Sequence, residues 1–165
     1  MTIGTEYLKT VTQEFKEAKV AAERAMDQLT ESELFWFPNE ESNSVAVIVK
    51  HMSGNMVSRW TDFLTTDGEK PNRDRDGEFV VGDIQTKEQV MEIWEHGWEI
   101  FLAALEDINE DHLLKTITIR NEPHTVLGAI ERQMYHYSNH VGQIIYIAKI
   151  LKSNDWKTLT IPRKK

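Results

Sequence analysis

The chain has 165 residues, 40% hydrophobic and 28% charged, with 27 acidic against 19 basic side chains and a formal net charge of −8. That length suits one domain, residues 1–165, with a core of its own, and that charge argues against a nucleic-acid partner, because binding phosphates takes a concentrated basic surface. With no cysteine there is no disulfide frame, no thiolate nucleophile and no thiolate-held zinc, so any metal must be held by nitrogen and oxygen.

No apolar run approaches the roughly 20 residues of a membrane span. The start, MTIGTEYLKTVTQEFKEAK, has acidic residues where a signal peptide has an apolar segment, and a cytoplasmic protein with no membrane partner is expected. The first helical pattern puts Ile3, Tyr7, Leu8, Val11, Phe15, Ala18, Ala22, Ala25 and Leu29 on one face. Thr30-Glu31-Ser32-Glu33 then matches a capping box that opens a short turn through Leu34-Phe35-Trp36-Phe37, stopped by Pro38. A second helix is predicted from near Ser44 to about Leu64, with Val45, Ile48, Val49, Met52, Met56, Trp60 and Phe63 as its stripe. A long charged crossing follows, Thr65 to Gln85; loops of that length are uncommon and often functional, although a solvated crossover is the simpler reading.

The third helix opens on a capping box, Thr86 with Gln89, and carries Val90, Ile93, Trp94, Trp98, Phe101, Leu102, Leu105 and Ile108. Thr116-Ile117-Thr118-Ile119 alternates with period two before a turn at Asn121-Glu122, which predicts a small hairpin. The fourth helix runs from near Thr125 to about Lys152 along Val126, Ile130, Met134, Tyr137, Val141, Ile144, Ala148 and Leu151, and the chain ends in a short basic tail, Pro162-Arg163-Lys164-Lys165, read as a solvated end. The expected fold is all-α: an up-down four-helix bundle, with a long crossover between helices two and three and a small β-hairpin before helix four. Trp60, Trp94, Trp98, Met52, Met56 and Met134 read as core filler.

His136 and His140 stand four apart in MYHYSNHVGQIIYIAKIL. Residues so spaced lie about 40° apart on a helix, with Cβ atoms roughly 6 Å from each other, so both rings can meet one ion at about 2.1 Å. The same spacing is common on solvated helix edges, and the pair alone leaves both readings open. His51 sits in the apolar IVKHMSGNM, on the flank of its stripe with Ser44 and Asn55; there an imidazole must be hydrogen-bonded or coordinated. His96, beside Glu95, reads as a surface or inter-helix residue, and His112 and His124 as loop residues flanking the hairpin.

A histidine in helix two, a long crossing and HYSNHVGQI in the last helix resemble the DinB-like superfamily over essentially the whole chain. VIVKHMSGNMVSRWTDFLTTDGEKPNRDRDGEF and HYSNHVGQIIYIAKIL are similar in particular to a branch of short bacterial proteins of unknown function. The resemblance implies a divalent metal held by His51, His136 and His140. It also implies, as in some members, a low-molecular-weight thiol such as bacillithiol or mycothiol that the metal activates as a thiolate.

Three imidazoles leave coordination positions open, as catalytic zinc, nickel or iron sites require. The expected function is a metal-dependent enzyme, a thiol S-transferase or a hydrolase acting on a small molecule, with its catalytic group unassigned. Asn55, Arg59 and Gln143 are candidates to orient ligands or bind substrate, and Arg73 and Arg75 to hold an anionic substrate, with Asp74, Asp76 and Glu78 near enough to pair with them. Tyr135 and Tyr137 are candidates to protonate a leaving group, although Tyr137 lies on the apolar stripe. The alternative is a non-catalytic, stress-associated bundle whose metal is structural, vestigial or absent. It rests on there being no carboxylate spaced from the histidines as a general base and no Ser-His-Asp order. A homodimer is expected, since exposed aromatics such as Trp36 can pair.

Overall fold

The computed structural model describes residues 2–162, so Arg163, Lys164 and Lys165 of the basic tail lie outside the described residues. The fold is mostly helical: α1 (Ile3–Met26), α2 (Glu31–Leu34), α3 (Val45–Trp60), α4 (Lys87–Glu106) and α5 (Val126–Lys152), with one antiparallel pair of strands, β1 (Thr116–Ile119) and β2 (Glu122–Thr125). Among the described residues no helix is long and apolar enough to cross a membrane.

Hydroxyl caps start the helices where the sequence places them. Ser44, Thr86 and Thr125 each accept an N–H of the first turn, and both capping boxes, Thr30 with Glu33 and Thr86 with Gln89, are complete. Two boundaries differ from expectation. The turn after Thr30 is over by Leu34, and α3 stops at Trp60 rather than near Leu64. There Thr61 is extended, its hydroxyl donates to the Val57 carbonyl at 2.7 Å, and Asp62 turns to φ 49°, which no continuing helix accepts.

α3 packs chiefly on α4 and α1 on α5, with α3 against α5 and α1 against α4 closing the arrangement. A Cβ on Gly97 of α4 would stand 2.8 Å from the Ser53 Cα, so only glycine lets these two helices approach this closely. Phe15, Trp60, Phe101 and Tyr137 interlock at the centre, with Phe15–Phe101 centroids at 4.5 Å and Trp60–Phe101 at 4.7 Å. Trp94, Trp98, Met52 and Met56 are buried with them as core filler, and Met134 packs at the margin. Ile3 departs from its expected face: it is exposed in the first turn of α1, ahead of a core that begins at Val11. Thirteen of the 16 residues of α3 are buried, so its polar residues His51, Asn55 and Arg59 must find partners inside the protein.

The crossing is exposed over much of its length but pinned to the helices at buried points. Gly68 and Glu78 are buried, and Gly77–Phe79 forms a 3-10 turn packed on α3. Asp67 anchors the crossing to the hairpin: its carboxylate accepts N–H groups from Glu69 (2.7 Å), Arg120 (2.9 Å) and Asn121 (2.8 Å), while the Gly68 N–H donates to Thr118. Arg120 and Asn121 both have positive φ, as a two-residue hairpin turn needs, and Asp67 holds them in it. Burial pushes the Asp67 carboxyl up, but the three N–H donors outweigh it and hold it at about 2. Asp67→Ala is expected to cost about 2–4 kcal/mol in urea denaturation. Because the folded value is depressed, this contribution is complete above the ordinary carboxylate value of 3.8 and fades as pH falls from there toward about 2. A variant as stable as wild type at neutral pH overturns this.

Candidate metal centre

Three histidines from two helices converge on one point. His51 comes from the buried middle of α3, and His136 and His140 from successive turns of α5. The contacts run in opposite senses along the two helices, His51 to His136, Asn55 to Gln133 and Arg59 to Gln133, so α3 and α5 are antiparallel here. The His136 Nε2 lies 3.1 Å from the His140 Nε2 and 3.3 Å from the His51 Nε2, and the three ligand atoms all lie within 4.8 Å of one another. Two nitrogens bound tetrahedrally at about 2.1 Å are roughly 3.4 Å apart, so two edges of the triangle already match a shared ion.

Behind each ring, the Nδ1 is held by a different side chain. The His51 Nδ1 donates to the Glu78 carboxylate at 2.9 Å, and the His140 Nδ1 to the Gln143 Oε1 at 2.9 Å. Both rings therefore carry their proton on Nδ1 and offer the Nε2 lone pair, as an imidazole must to bind a metal through Nε2. The His136 Nδ1 instead faces the Gln133 amide nitrogen at 3.0 Å. Phe79 stacks on His51 at 4.6 Å between centroids and fixes its plane. Burial pushes the His136 ring down to about 3, helped by His140, His51 and the charges of Arg59 and Arg73. Burial also lowers His140, outweighing its bond to Gln143. Both rings are thus held neutral, as an imidazole must be to bind metal.

Glu78, behind His51, is one of two residues of the site that sequence spacing did not identify. It is 6% exposed and accepts Arg73 Nε at 2.7 Å, Arg73 Nη2 at 2.8 Å and His51. Burial pushes its carboxyl up, but the hydrogen bonds from Arg73 and His51 win and keep it below the ordinary range. It reaches α3 because Gly54 has no side chain; a methyl there would overlap the Glu78 carboxylate.

Of the residues singled out in the sequence, Gln143 touches His140 directly, whereas Asn55 and Arg59 act one step removed. Asn55 Oδ1 accepts from Gln133 at 2.9 Å and from the Tyr137 hydroxyl at 3.2 Å, and Arg59 donates to the Gln133 Oε1 at 3.3 Å and the Gly68 carbonyl at 3.2 Å. Arg73 is committed to Glu78 and Glu69, while Arg75 is half exposed over the Phe79 ring. Tyr137 is core; Tyr135 is exposed. His96 is exposed, His112 sits in a 3-10 turn, and His124 belongs to β2 rather than to a loop. Gln133 was missed, although it stands three residues before His136 as Gln143 stands three after His140.

Two cavities flank the cluster. One, of about 400 Å³, is lined by His51, His136 and several arginines. The other, of about 340 Å³, is lined by Trp36, Ile48, Tyr146, Ile147 and the Gln143 that holds His140. A larger cavity of about 650 Å³ is lined by Gly54, Arg73 and the Glu78 that holds His51, and another of about 690 Å³ lies between the crossing and the hairpin turn.

A search of curated proteins and a search of solved structures each found no match. A family model described as Protein of unknown function (DUF1572) matches residues 2–165, nearly the whole chain, and the protein belongs to that family.

Proposed function

We propose that this chain is a divalent-metal-dependent enzyme on an up-down four-helix bundle of the DinB-like type, either transferring a low-molecular-weight thiol or hydrolysing a small molecule. One observation carries the reading: three Nε2 atoms converge from two helices while Glu78, Gln133 and Gln143 each hold one ring from behind. His51, His136 and His140 would hold the ion. Bound there, a zinc, nickel or iron ion supplies Lewis acidity and lowers the pKa of a bound water or thiol. Three protein ligands support a catalytic rather than a structural metal, which four ligands usually close.

The chain's own residues supply the rest. An arginine-lined cavity beside His51 and His136, and a second beside Gln143 with a mixed lining of aromatic, aliphatic and polar side chains, support two different binding partners, as a transfer reaction needs. Tyr135 lines the arginine cavity beside His136 and is our candidate to give a proton to a leaving group there. We further propose a single-domain cytoplasmic homodimer without a nucleic-acid partner, supported by the charge of −8 and by exposed Trp36 and Phe37. Light scattering tests the dimer.

The metal is tested by reconstituting metal-depleted protein with zinc, nickel or ferrous ion and measuring bound metal. About one ion per chain is expected for wild type and none for His140→Ala. No stoichiometric metal in wild type, or unchanged binding in the variant, sinks the site. Metal-loaded protein is then assayed against a panel of thiols with electrophiles and a panel of ester and amide substrates. Inactivity across both favours the non-catalytic alternative.

A further inference from the structure

Among the described residues, five of the six arginines, all but Arg24, line one cavity together with His51 and His136: Arg59, Arg73, Arg75, Arg120 and Arg132. They come from α3, the crossing, the hairpin turn and α5, elements the fold brings together from far apart in sequence. No carboxylate lines the cavity. The carboxylates ion-paired with these guanidiniums are Glu78, spent on Arg73 and His51, Glu69, shared among Arg73 at 3.0 Å, Arg120 at 3.5 Å and Arg59 at 3.9 Å, and the exposed Asp76 beside Arg75 at 3.8 Å. Among the described residues Arg132 pairs with no carboxylate. Five guanidiniums facing three carboxylates leave a cationic pocket in a chain whose net charge is −8.

Arg59 is the strongest sign that the excess has a purpose. It is 4% exposed, yet its firm partners are neutral, the Gly68 carbonyl and the Gln133 amide oxygen. A buried guanidinium with only a distant carboxylate is costly unless another anion completes it. Its placement is also ordered. Along α3 the residues at four-residue steps are His51, Asn55 and Arg59, and along α5 they are Arg132, His136 and His140. On antiparallel helices these two ladders put guanidiniums at one end of the seam and imidazoles at the other, with Arg132 one turn, about 6 Å, from His136.

We infer that Arg59, Arg75, Arg120 and Arg132 form an anion subsite beside the histidine cluster, and that the substrate carries a compact dianionic group, phosphoryl or dicarboxylate, about one helical turn from its reacting atom. Arginine suits this task because its fork matches two oxygens at once, and lysine is absent from the lining. The field of the pocket draws such an anion toward an otherwise acidic protein. That this anion is a substrate's handle rests on the proposed metal enzyme; that the pocket binds it does not.

The test uses metal-free full-length protein, with inorganic phosphate and, separately, succinate titrated by calorimetry at fixed ionic strength. Saturable binding of either supports the subsite, phosphate alone pointing to a phosphoryl group and succinate alone to a dicarboxylate. Arg132→Ala and Arg120→Ala, both at exposed positions, are each expected to weaken binding roughly tenfold or more while metal content on reconstitution stays as in wild type. Binding of neither anion, or binding unmoved in the double variant, overturns the inference. So does a folded double variant that loses its metal, since the arginines would then be serving the histidines. Anion binding that survives in His140→Ala keeps the subsite even where the metal reading fails.

Discussion

Glu78→Ala is expected to destabilise the protein by about 3–5 kcal/mol and to weaken metal binding by roughly 10–100-fold. The first figure follows from Arg73, whose side chain is only 4% exposed and would keep just Glu69, at 3.0 Å, as a carboxylate partner. A buried cation that loses its partner cannot be rehydrated without opening the crossing over α3. The second figure follows from His51, which loses the acceptor that fixes its tautomer and orients its Nε2 toward the other two rings. Glu78→Gln separates the two effects. Its amide oxygen still accepts from the His51 Nδ1, so metal affinity should fall less than in Glu78→Ala, while Arg73 still loses its charge partner.

The same carboxylate sets an acid limit. Its folded value lies below the ordinary 4.5, so the stability it contributes is fully present above that pH and is lost as pH falls through the lower folded value. Urea denaturation followed by tryptophan fluorescence between about pH 7 and pH 3 should show the gap between wild type and Glu78→Gln closing toward the acid end. A gap that is constant over that range, or metal affinity in Glu78→Ala equal to wild type, removes Glu78 from the account of the site.

What the sequence made legible was local. Helix starts follow from a hydroxyl and its partner three residues on, which is why Ser44, Thr86 and Thr125 mark their helices closely. His136 and His140 meet because one turn of one helix puts them together, and Gln143 is reached by the same short step. His51 was legible as a polar residue in an apolar run, a conflict that needs a partner. Glu78 was not, because nothing in DRDGEF reports that its turn folds back 27 residues to His51, or that Gly54 leaves room for it. Asp67 was hidden likewise, since its partners Arg120 and Asn121 lie more than 50 residues on. Arg73 illustrates the ambiguity of charge: sequence offers it equally as a substrate ligand and as an ion-pair partner, and only burial beside Glu78 shows where it is committed.

Gln133 sets a tautomer that metal binding must reverse. Its oxygen accepts from Arg59 at 3.3 Å, and its NH2 group donates to Asn55 at 2.9 Å and to the His136 Nδ1 at 3.0 Å. His136 therefore carries its proton on Nε2, where it points at the Nε2 lone pairs of His140 and His51. An ion needs the His136 Nε2 lone pair, so the proton must move to Nδ1 and Gln133 must present an oxygen there. Turning the amide would set its NH2 against the Arg59 guanidinium, donor facing donor. Gln133→Glu removes the conflict, since a carboxylate accepts from both Arg59 and the His136 Nδ1 while Asn55 turns its own amide to donate. Metal affinity, measured by competition with a chelator, is expected to rise about 10–100-fold. Imidazole nitrogen NMR of the metal-free proteins reads the cause, with the His136 proton on Nε2 in wild type and on Nδ1 in the variant. A variant that binds no tighter, or a wild type already protonated on Nδ1, rules the tautomer account out.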